Sequence, residues 1–583
     1  MELNLTKIIV KKFKSSFQKN GFDQIVPEIK ISDRPELSEF QCNDALKLAK
    51  LVSKSPRLVA ENILSKLDKK IFSNISIDGP GFINMTVNPE VVSELAKNIV
   101  NDTMLGFVQQ KKEKIVIDYA GMNIAKVMHI GHLRSNIVGQ AIYNLGKFVG
   151  KEMIGDAHIG DWGTPMGVII AEIQERNPKS PYFSPNPKKT FTAKDFPYTV
   201  EQLITIYPEA AKKAKENPEF AKKAQDYVVK LQAKTKGIYD LWKEMRKLSI
   251  EYFKKTTSWL NVHLDYWYGE SDADASVALL SKQLEAKGIL KLSDGCKVID
   301  IEKPFKGNKT PPFIMIKSNG AIKYEATDLA TIYNRVKEFK PKKILYVIDK
   351  RQEMQMFMVF QAAEQIKLYK ADECEFLGFG TINGPDGTPL KTRSGGAASL
   401  QSAIDDIYAA SLKVIQETKK KISQKEKEKI AYCIALASLK FADLSNYRAN
   451  DYIFTPDKFT RYEGKTGTYI LYTTVRIKSI LKKVKVQTTS DIEVKEECEK
   501  KLLLKLLDFS NVINEAWNKR APDVICNYIY DLCVLFNAFY HKCPIVSEPN
   551  KKTKNSRINL CKMVLNAVEN FAKIVGIFIP EKM

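Results

Sequence analysis

A pair of histidines near position 130 is the densest concentration of candidate chemistry in the sequence. His129 and His132 flank Gly131 in AKVMHIGHLRSN (125–136), and the chain contains only five histidines. Imidazoles donate hydrogen bonds to phosphate oxygens, and a glycine lets a phosphate or a flat ring approach the backbone. The spacing therefore indicates a site for a phosphorylated ligand. An isolated four-residue match is weak, however, and taken alone it is better explained by a pair of surface or capping histidines at a turn.

The segments on either side predict how this pair is positioned. KEKIVIDYA (112–120) alternates as a strand does, and LRSNIVGQAIYNLGKFVG (133–150) has apolar residues at helical spacing. The histidines are thus expected at a strand-to-helix corner. The first N–H groups of a helix are unpaired there and bind anions.

Charge and composition narrow the class of protein. Lys and Arg outnumber Asp and Glu by 91 to 68, which gives a net charge of +23. This excess suits a polyanionic partner such as RNA or DNA, although a lysine-rich surface without function would look similar. The hydrophobic fraction of 44% is ordinary for a globular protein, and 583 residues predict about three domains.

Cysteine usage and hydropathy exclude several other classes. The nine cysteines form no CxxC pair and no Cys/His cluster of zinc spacing, so neither structural zinc nor a disulfide framework is expected. No segment approaches the roughly 20 apolar residues of a membrane span. The amphipathic, basic start is unlike a signal peptide. Reduced thiols and a cytoplasmic location fit these features best, and an organellar address stays open.

The order of predicted elements divides the chain into three parts. Residues 1–108 read as a small α+β domain, with the strand-like NISIDGPGFINMTVN turning at Gly79–Gly81. Residues 109–400 alternate strands with helices, which favours an α/β domain with a parallel, doubly wound sheet, interrupted by a helical insertion at about 171–290. Four further segments are predicted strands of this sheet: KEMIGDAHIGDWG, PPFIMIKS, KKILYVIDK and EFLGFGTI. Residues 401–583 read as an all-α bundle.

The segment DYAGMNIAKVMHIGHLRSNIVG (118–139) resembles the signature of class I aminoacyl-tRNA synthetases, and more narrowly of the arginyl-tRNA synthetase family. Further segments are similar to that family's blocks in its order: AHIGDWGTPMG, YEATDLATIYNR, YVIDKRQ, LKTRSGG and KFADLSNYRANDYIF. The resemblance extends to IDGPGFINMTV in the first part and covers nearly the whole chain. It implies a Rossmann-type catalytic domain, a helical anticodon-binding domain after it, and an N-terminal domain that contacts tRNA.

The activity implied by the resemblance is that of an arginine–tRNA ligase, which forms arginyl adenylate from arginine and ATP and then esterifies tRNA(Arg). The resemblance also implies a monomer, Mg²⁺ held through the ATP phosphates, and no zinc or membrane partner. Two alternatives stay open. One is another HxGH enzyme that adenylylates a small molecule without RNA, and the other is a catalytically inactive tRNA-binding relative.

The resemblance assigns roles in ATP binding and catalysis. His129, Gly131 and His132 match the family's ATP-binding signature. The second signature reads LKTRSGG, without its usual second lysine, and implies roles for Lys391, Arg393 and Ser394. Lys126, just ahead of the histidines, is expected to replace part of the missing charge. The alternative for Lys391 and Arg393 is a solvated basic loop.

A pocket for arginine can be argued from charge as well as from the resemblance. A guanidinium has five donors and no acceptor, so it requires carboxylate, amide and phenol oxygens. The matching positions are Asp118, Asn123, Tyr324, Asp328 and Gln352. Asp328 is equally suited to cap a helix before LATIYNR. His158, in HIGDWG, is expected only to support the pocket, and Gln355 stands where many members of the family have histidine.

The last part of the chain offers candidate contacts to tRNA. Aromatic and cationic side chains interleave in RYEGKTGTYILYTTVRIKSILKK (461–483), where stacking faces and phosphate partners would suit single-stranded bases. The candidate residues are Tyr462, Lys465, Tyr469 and Arg476. A tyrosine-rich helix core explains the aromatic residues almost as well.

Overall fold

The computed structural model describes residues 4–34, 36–192, 194–318, 320, 322–384, 386–388, 399–416, 422–453, 464–484 and 489–583. The chain forms two compact units. Unit 1 comprises Met1–Gln109, Tyr462–Lys573 and Phe578–Met583, and unit 2 comprises Gln110–Arg461 and Ile574–Ile577. The predicted boundaries at residues 108 and 400 stay predictions.

The N-terminal part of unit 1 is an antiparallel sheet with helices. Its elements are α1 (Leu5–Lys19), β1 (Ile29–Ile31), β2 (Phe40–Cys42), α2 (Ala45–Val52), α3 (Pro56–Ser65), β3 (Phe72–Asp78), β4 (Phe82–Val87) and α4 (Pro89–Ile99). The strand order is β1-β2-β4-β3. Gly79 and Gly81 have positive φ in the turn between β3 and β4, as the sequence of this turn leads one to expect.

Unit 2 is built on a parallel sheet flanked by helices. Its elements are β5 (Lys114–Asp118), α5 (Gly131–Phe148), β6 (Glu152–Asp156), α6 (Thr164–Arg176), α7 (Val200–Glu216), α8 (Pro218–Gln232), α9 (Lys236–Trp259), α10 (Glu270–Ala286), β7 (Lys291–Ser293), β8 (Cys296–Ile299), β9 (Phe313–Ile316), α11 (Tyr324–Phe339), β10 (Lys343–Tyr346), α12 (Glu353–Gln365), β11 (Cys374–Phe376), β12 (Ile382–Asn383), α13 (Leu400–Gln416), α14 (Gln424–Leu444) and β13 (Tyr452–Ile453). The parallel order is β11-β10-β5-β6. The helical insertion corresponds to α6 through α10.

One predicted strand does not belong to this sheet. PPFIMIKS was expected to extend the parallel sheet, and that prediction is wrong, because β9 pairs antiparallel with β8 in a separate sheet of order β7-β8-β9. A two-residue turn joins β7 to β8, with Asp294 at φ 48° and Gly295 at φ 74°. Asp-Gly is a typical hairpin turn of this kind. This turn predicts the antiparallel pairing of β7 with β8, and it leaves the partner of β9 unspecified.

The C-terminal part of unit 1 is helical. Its helices are α15 (Gly467–Lys483), α16 (Glu497–Leu507), α17 (Phe509–Lys519), α18 (Pro522–Lys542) and α19 (Lys551–Val575). Leu502 and Leu506 of α16 are fully buried, as are Ile529 and Phe536 of α18. Within the described ranges, no helix combines the length and the apolar composition needed to cross a bilayer.

The short segment Ile574–Ile577 is tied into unit 2 by backbone carbonyls. Lys440 of α14 is fully buried, and its Nζ donates to the carbonyls of Gly576 at 2.9 Å, Val575 at 3.1 Å and Asn261 at 3.5 Å. Burial lowers the pKa of Lys440 to about 7. Asn144 Nδ2 donates to the carbonyl of Ile574 at 3.1 Å. The folded state of unit 2 therefore requires contacts between residues that lie far apart in the chain.

Close packing of α5 against the end of β5 positions the corner that carries the histidines. A Cβ on Gly139 of α5 would lie 2.3 Å from the Cβ of Tyr119. Tyr119 is fully buried and follows the last residue of β5. Only a glycine allows this approach without displacing the helix.

We expect Gly139→Ala to destabilise the protein by about 1–3 kcal/mol, because the added methyl group overlaps a buried side chain. Urea unfolding followed by circular dichroism measures the effect as a lower midpoint. Lys147→Ala, on an exposed position of the same helix, is the matched control and should leave the midpoint nearly unchanged. Equal midpoints for both variants would contradict the packing argument.

Candidate functional site

A cleft of about 490 Å³ lies at the carboxyl edge of the parallel sheet. Parallel strands present their carboxyl ends on one side, and ligands bind there in folds of this type. The wall includes residues that follow β5, β6, β10 and β11, together with the first turn of α5. This volume is within the range of small-molecule sites.

The two histidines lie in the cleft wall at the start of α5. Their ring centroids are 3.9 Å apart. His129 Nδ1 accepts the backbone N–H of Gly131 at 3.1 Å, and His132 Nδ1 accepts the backbone N–H of His129 at 3.1 Å. Each Nδ1 is therefore an acceptor, which leaves the ring proton of each neutral imidazole on Nε2.

The surroundings keep both imidazoles neutral. Burial lowers the pKa of His129, and the charges of Lys126 and Arg351 lower it further. Burial, with smaller contributions from His129 and Lys126, lowers the pKa of His132 to about 3. Both side chains thus have an Nε2–H donor at neutral pH without adding positive charge. At the positive end of the α5 helix dipole, such Nε2–H donors suit phosphate oxygens.

Lys126 lies near the histidines but is not part of the cleft wall. Its Nζ is 4.6 Å from the centroid of the Tyr207 ring, as in a cation–π contact. Its positive charge contributes to lowering the pKa of both histidines.

The other part of the cleft is rich in carboxylates, beginning with Asp118 at the end of β5. Asp118 lies opposite Asp156 in the register of β5 and β6. Arg335 of α11 bridges the two carboxylates, with Nη2 2.7 Å from Oδ2 of each. All three side chains are buried, and Asp118 also borders the cleft. Asp118 is therefore held in place by an internal guanidinium as well as being available to a ligand.

Asp328 also lies in the cleft wall, and the alternative that it caps a helix is wrong. The helix α11 begins at Tyr324, so Asp328 is in its second turn. Its Oδ1 lies 3.3 Å from His158 Nε2, and its Oδ2 accepts a hydrogen bond from Gln355 at 2.8 Å. Gln355 thus orients this carboxylate.

His158 also lies in the cleft wall, beside Asp328. Burial alone would lower the pKa of His158, but Asp328 and Asp118 outweigh burial and raise it to about 9. The imidazole is therefore a cation at neutral pH, unlike those of His129 and His132. Its charge balances one of the two neighbouring carboxylates.

A third carboxylate in the cleft, Glu270, was not predicted. Glu270 is the first residue of α10 and lies in the same wall as Asp328. Burial raises the pKa of Glu270 to about 7, with His158 opposing the shift and Asp161 and Asp328 adding to it. Nothing in the local sequence YWYGESDADA distinguishes it from the other acidic residues of this helix.

Asn123 and Gln352, both predicted to bind the amino acid, also lie in the cleft wall. The loops that follow β5 and β6 are joined there, since Gly160 N donates to the Met122 carbonyl at 2.8 Å and Ile124 N donates to the Gly160 carbonyl at 3.1 Å. A Cβ on Gly160 would lie 2.3 Å from Asn123 Oδ1. This close approach holds the Asn123 amide at the cleft.

Several predicted residues cannot be placed. Lys391, Arg393 and Ser394 of the second signature lie outside the described residues, as does Tyr462. Tyr324 is the first residue of α11, but its side chain is outside the description.

The remaining tRNA candidates lie in unit 1, on α15 and just before it. Lys465 is exposed. Arg476 lies over the rings of Tyr472 at 5.0 Å and Tyr540 at 5.1 Å, and both tyrosines are partly exposed. The Tyr469 hydroxyl accepts a hydrogen bond from Asn537, and its ring packs against Tyr530. Tyr469 therefore serves helix packing as well.

The cleft thus combines two kinds of recognition. Neutral Nε2–H donors at the positive end of a helix suit a phosphate chain. The carboxyl groups of Asp118, Asp328 and Glu270, grouped around the cationic imidazole of His158, suit a positively charged ligand. Such a combination can bring an anionic nucleotide and a cationic amino acid together.

Comparison with known proteins agrees with this arrangement. Residues 94–455 match the family described as tRNA synthetases class I (R), catalytic domain. Residues 470–583 match the DALR anticodon binding domain, and residues 3–87 match the arginyl tRNA synthetase N terminal domain.

Two relatives named arginine–tRNA ligase match over almost their whole length. The protein of Alkaliphilus oremlandii is 40% identical over 574 residues, which cover 97% of each chain. That of Agathobacter rectalis is 36% identical and covers 99% of this chain and 100% of its own.

Two solved structures share the fold. Arginyl-tRNA synthetase from Plasmodium falciparum has a TM-score of 0.82 at 23% identity, covering 100% of this chain and 99% of its own. The Thermus thermophilus enzyme has a TM-score of 0.76 at 19% identity, covering 99% of this chain and 100% of its own. The predicted fold class is confirmed. The chain belongs to the arginyl-tRNA synthetase family, as the resemblance of its histidine segment predicted.

Proposed function

We propose that this protein is an arginine–tRNA ligase. It uses ATP to convert arginine into arginyl adenylate, releases diphosphate, and transfers the arginyl group to the terminal ribose of tRNA(Arg). The observation that carries the proposal is one cleft with phosphate-directed imidazoles and an excess of buried carboxylate. Family membership over nearly the full chain supports the same reaction.

The first step requires negative charge to be stabilised at the α-phosphorus of ATP. When the arginine carboxylate attacks that atom, charge builds on its oxygens, and preorganised donors lower the barrier. We assign this role to the Nε2–H groups of His129 and His132 and to the N-terminus of α5. Gly131 leaves room for the nucleotide beside them.

Lysines and a second loop complete the proposed phosphate site. Lys126, with Lys391 and Arg393, supplies positive charge for the phosphates, and Ser394 contacts ATP. Lys126 would have to leave the Tyr207 ring for a direct contact, since its Nζ lies over that ring. Mg²⁺ enters on the phosphates of ATP, and no zinc is required.

The carboxylate part of the cleft is the proposed arginine pocket. Asp328 and Glu270 accept from the guanidinium, and Asp118 adds negative charge nearby. Asn123, Tyr324 and Gln352 supply neutral oxygens and donors to the rest of the amino acid. Because His158 already balances one carboxylate, a ligand with a single positive charge brings the pocket closer to neutrality.

The three predicted domains supply the remaining proposed functions. Residues 1–108 contact the tRNA, residues 109–400 catalyse both steps, and residues 401–583 bind the anticodon. Tyr462, Lys465, Tyr469 and Arg476 are the proposed contacts. We further propose a cytoplasmic monomer.

The function is tested by charging total tRNA with each labelled amino acid in turn. We expect arginine alone to be attached, and diphosphate–ATP exchange with arginine to require tRNA. Exchange with another small molecule in the absence of RNA would instead support the adenylylating alternative. Tight tRNA binding without any charging would support the inactive relative.

The two parts of the cleft should respond differently to substitution. Asp328→Asn removes a charge-assisted contact to the guanidinium and should raise the KM for arginine about 10- to 100-fold. His132→Ala removes a donor used in the transition state and should lower kcat for adenylate formation about 100-fold or more, with little effect on the KM for arginine. Steady-state exchange kinetics measure both, and equal, negligible effects would contradict the assignment.

Glu270 should make arginine binding depend on pH near neutrality. Its pKa is about 7 in the free protein, and only the ionised carboxylate attracts the guanidinium, so binding releases a proton. Affinity should therefore weaken as pH falls from 8 to 6, by about tenfold per unit at most. Calorimetric titration at several pH values measures this. Glu270→Gln should bind more weakly at pH 8 and show a flat profile, and an unchanged slope in that variant would contradict the role.

A further inference from the structure

Two cysteines of unit 1 lie within reach of one another. The Sγ atoms of Cys498 and Cys543 are 3.5 Å apart, although 45 positions separate the two residues in the chain. Cys498 is in the first turn of α16, and Cys543 follows the last residue of α18. Both are free thiols. A disulfide bond needs the sulfurs about 2.05 Å apart, so the two sulfurs would have to approach each other by about 1.5 Å.

The backbone on both sides of the pair is already held in place. Arg557 of α19 donates to Glu499 Oε1 at 2.8 Å and to the Pro544 carbonyl at 2.9 Å. Glu499 adjoins Cys498, and Pro544 adjoins Cys543, so one buried guanidinium connects the two cysteine segments. Glu548 also accepts from Arg557 at 2.7 Å. The hydrogen bonds of Arg557 thus hold the two thiols close together without any contribution from the sulfur atoms.

The two thiols differ in access. Cys498 is partly exposed, whereas only 2% of Cys543 is accessible to solvent. Burial, with a contribution from the neighbouring Cys498 thiol, raises the pKa of Cys543 to about 12. Cys498 is therefore the thiol that an external reagent reaches first, and Cys543 is placed to resolve the product.

We propose that Cys498 and Cys543 form a reversible oxidation site that takes small-molecule disulfides such as glutathione disulfide. The Cys498 thiolate attacks one sulfur of the reagent, forming a mixed disulfide and releasing one glutathione thiolate. Cys543 then attacks the Cys498 sulfur while its proton passes to the departing glutathione sulfur, and the second glutathione leaves as a thiol. Two protein thiols are oxidised, and one glutathione disulfide is reduced to two thiols.

The bond would link the start of α16 to the end of α18. Neither cysteine lies in the cleft of unit 2, so this site is independent of the proposed function. A cross-link between elements distant in the chain restricts the unfolded state. The oxidised protein should therefore resist unfolding of unit 1 more than the reduced protein does.

The experiment uses the full chain. It is incubated in glutathione buffers of increasing oxidised fraction, free thiols are blocked with N-ethylmaleimide, and peptides are mapped by mass spectrometry without reduction. We expect a linked peptide pair containing Cys498 and Cys543 that disappears with dithiothreitol. We also expect a higher thermal transition temperature in the oxidised sample.

Three serine variants sharpen the result. Cys543→Ser should leave Cys498 carrying glutathione, and Cys498→Ser should leave Cys543 reduced. Cys296→Ser is the matched control, since Cys296 is partly exposed like Cys498, and it should retain the cross-link. Circular dichroism verifies that each variant is folded. The proposal fails if Cys296 becomes fully glutathionylated while Cys498 and Cys543 stay unlinked, or if the link forms only in denaturant.

Discussion

A buried guanidinium at the ends of two adjacent strands is the interaction on which the cleft depends. Arg335 holds Asp118 and Asp156, which lie side by side in the sheet. Without a shared cation, two buried carboxylates in register would repel each other, and one would be neutralised by protonation. Removing one partner of such a group leaves an uncompensated charge, which is strongly destabilising. Burial raises the pKa of Asp118, and the charges of Arg335 and His158 oppose that rise. The carboxyl edge of the sheet therefore depends on Arg335.

Environment, rather than residue type, gives the three imidazoles of the cleft different charges. His129 and His132 are surrounded by cations and by burial, and both stay neutral donors. His158 is buried as well, but the carboxylates of Asp328 and Asp118 keep it charged. Burial acts in the same direction at all three positions, so the neighbouring charges decide the outcome. One cleft can thus offer separate regions to an anion and to a cation.

Local patterns in the sequence predicted the strand-to-helix connection that carries the histidines. A segment with strand alternation precedes Gly131, and a segment with helical spacing follows it. Asp328 was placed in the pocket by resemblance, and local capping chemistry suggested a different role that the helix start at Tyr324 excludes.

Residues that act through long-range contacts were missed. Arg335 follows Asp328 by seven positions, close to two turns on the same helix, yet only the folded chain shows that it reaches two strands. Glu270 enters the cleft from a helix more than a hundred residues beyond the histidines. The strand of PPFIMIKS was assigned to the wrong sheet because alternation does not specify a partner. The Asp-Gly turn before it specifies only the pairing of β7 with β8.

The carbonyl cage around Lys440 has a consequence for synthesis on the ribosome. The ammonium group and its neighbours Asn144 and Asn261 find their acceptors in Ile574–Ile577. More than a hundred residues of unit 1 are translated between Lys440 and that segment. Until the segment emerges, Lys440 lacks the carbonyls of Val575 and Gly576. The contacts that complete unit 2 therefore form only after most of unit 1 has been synthesised.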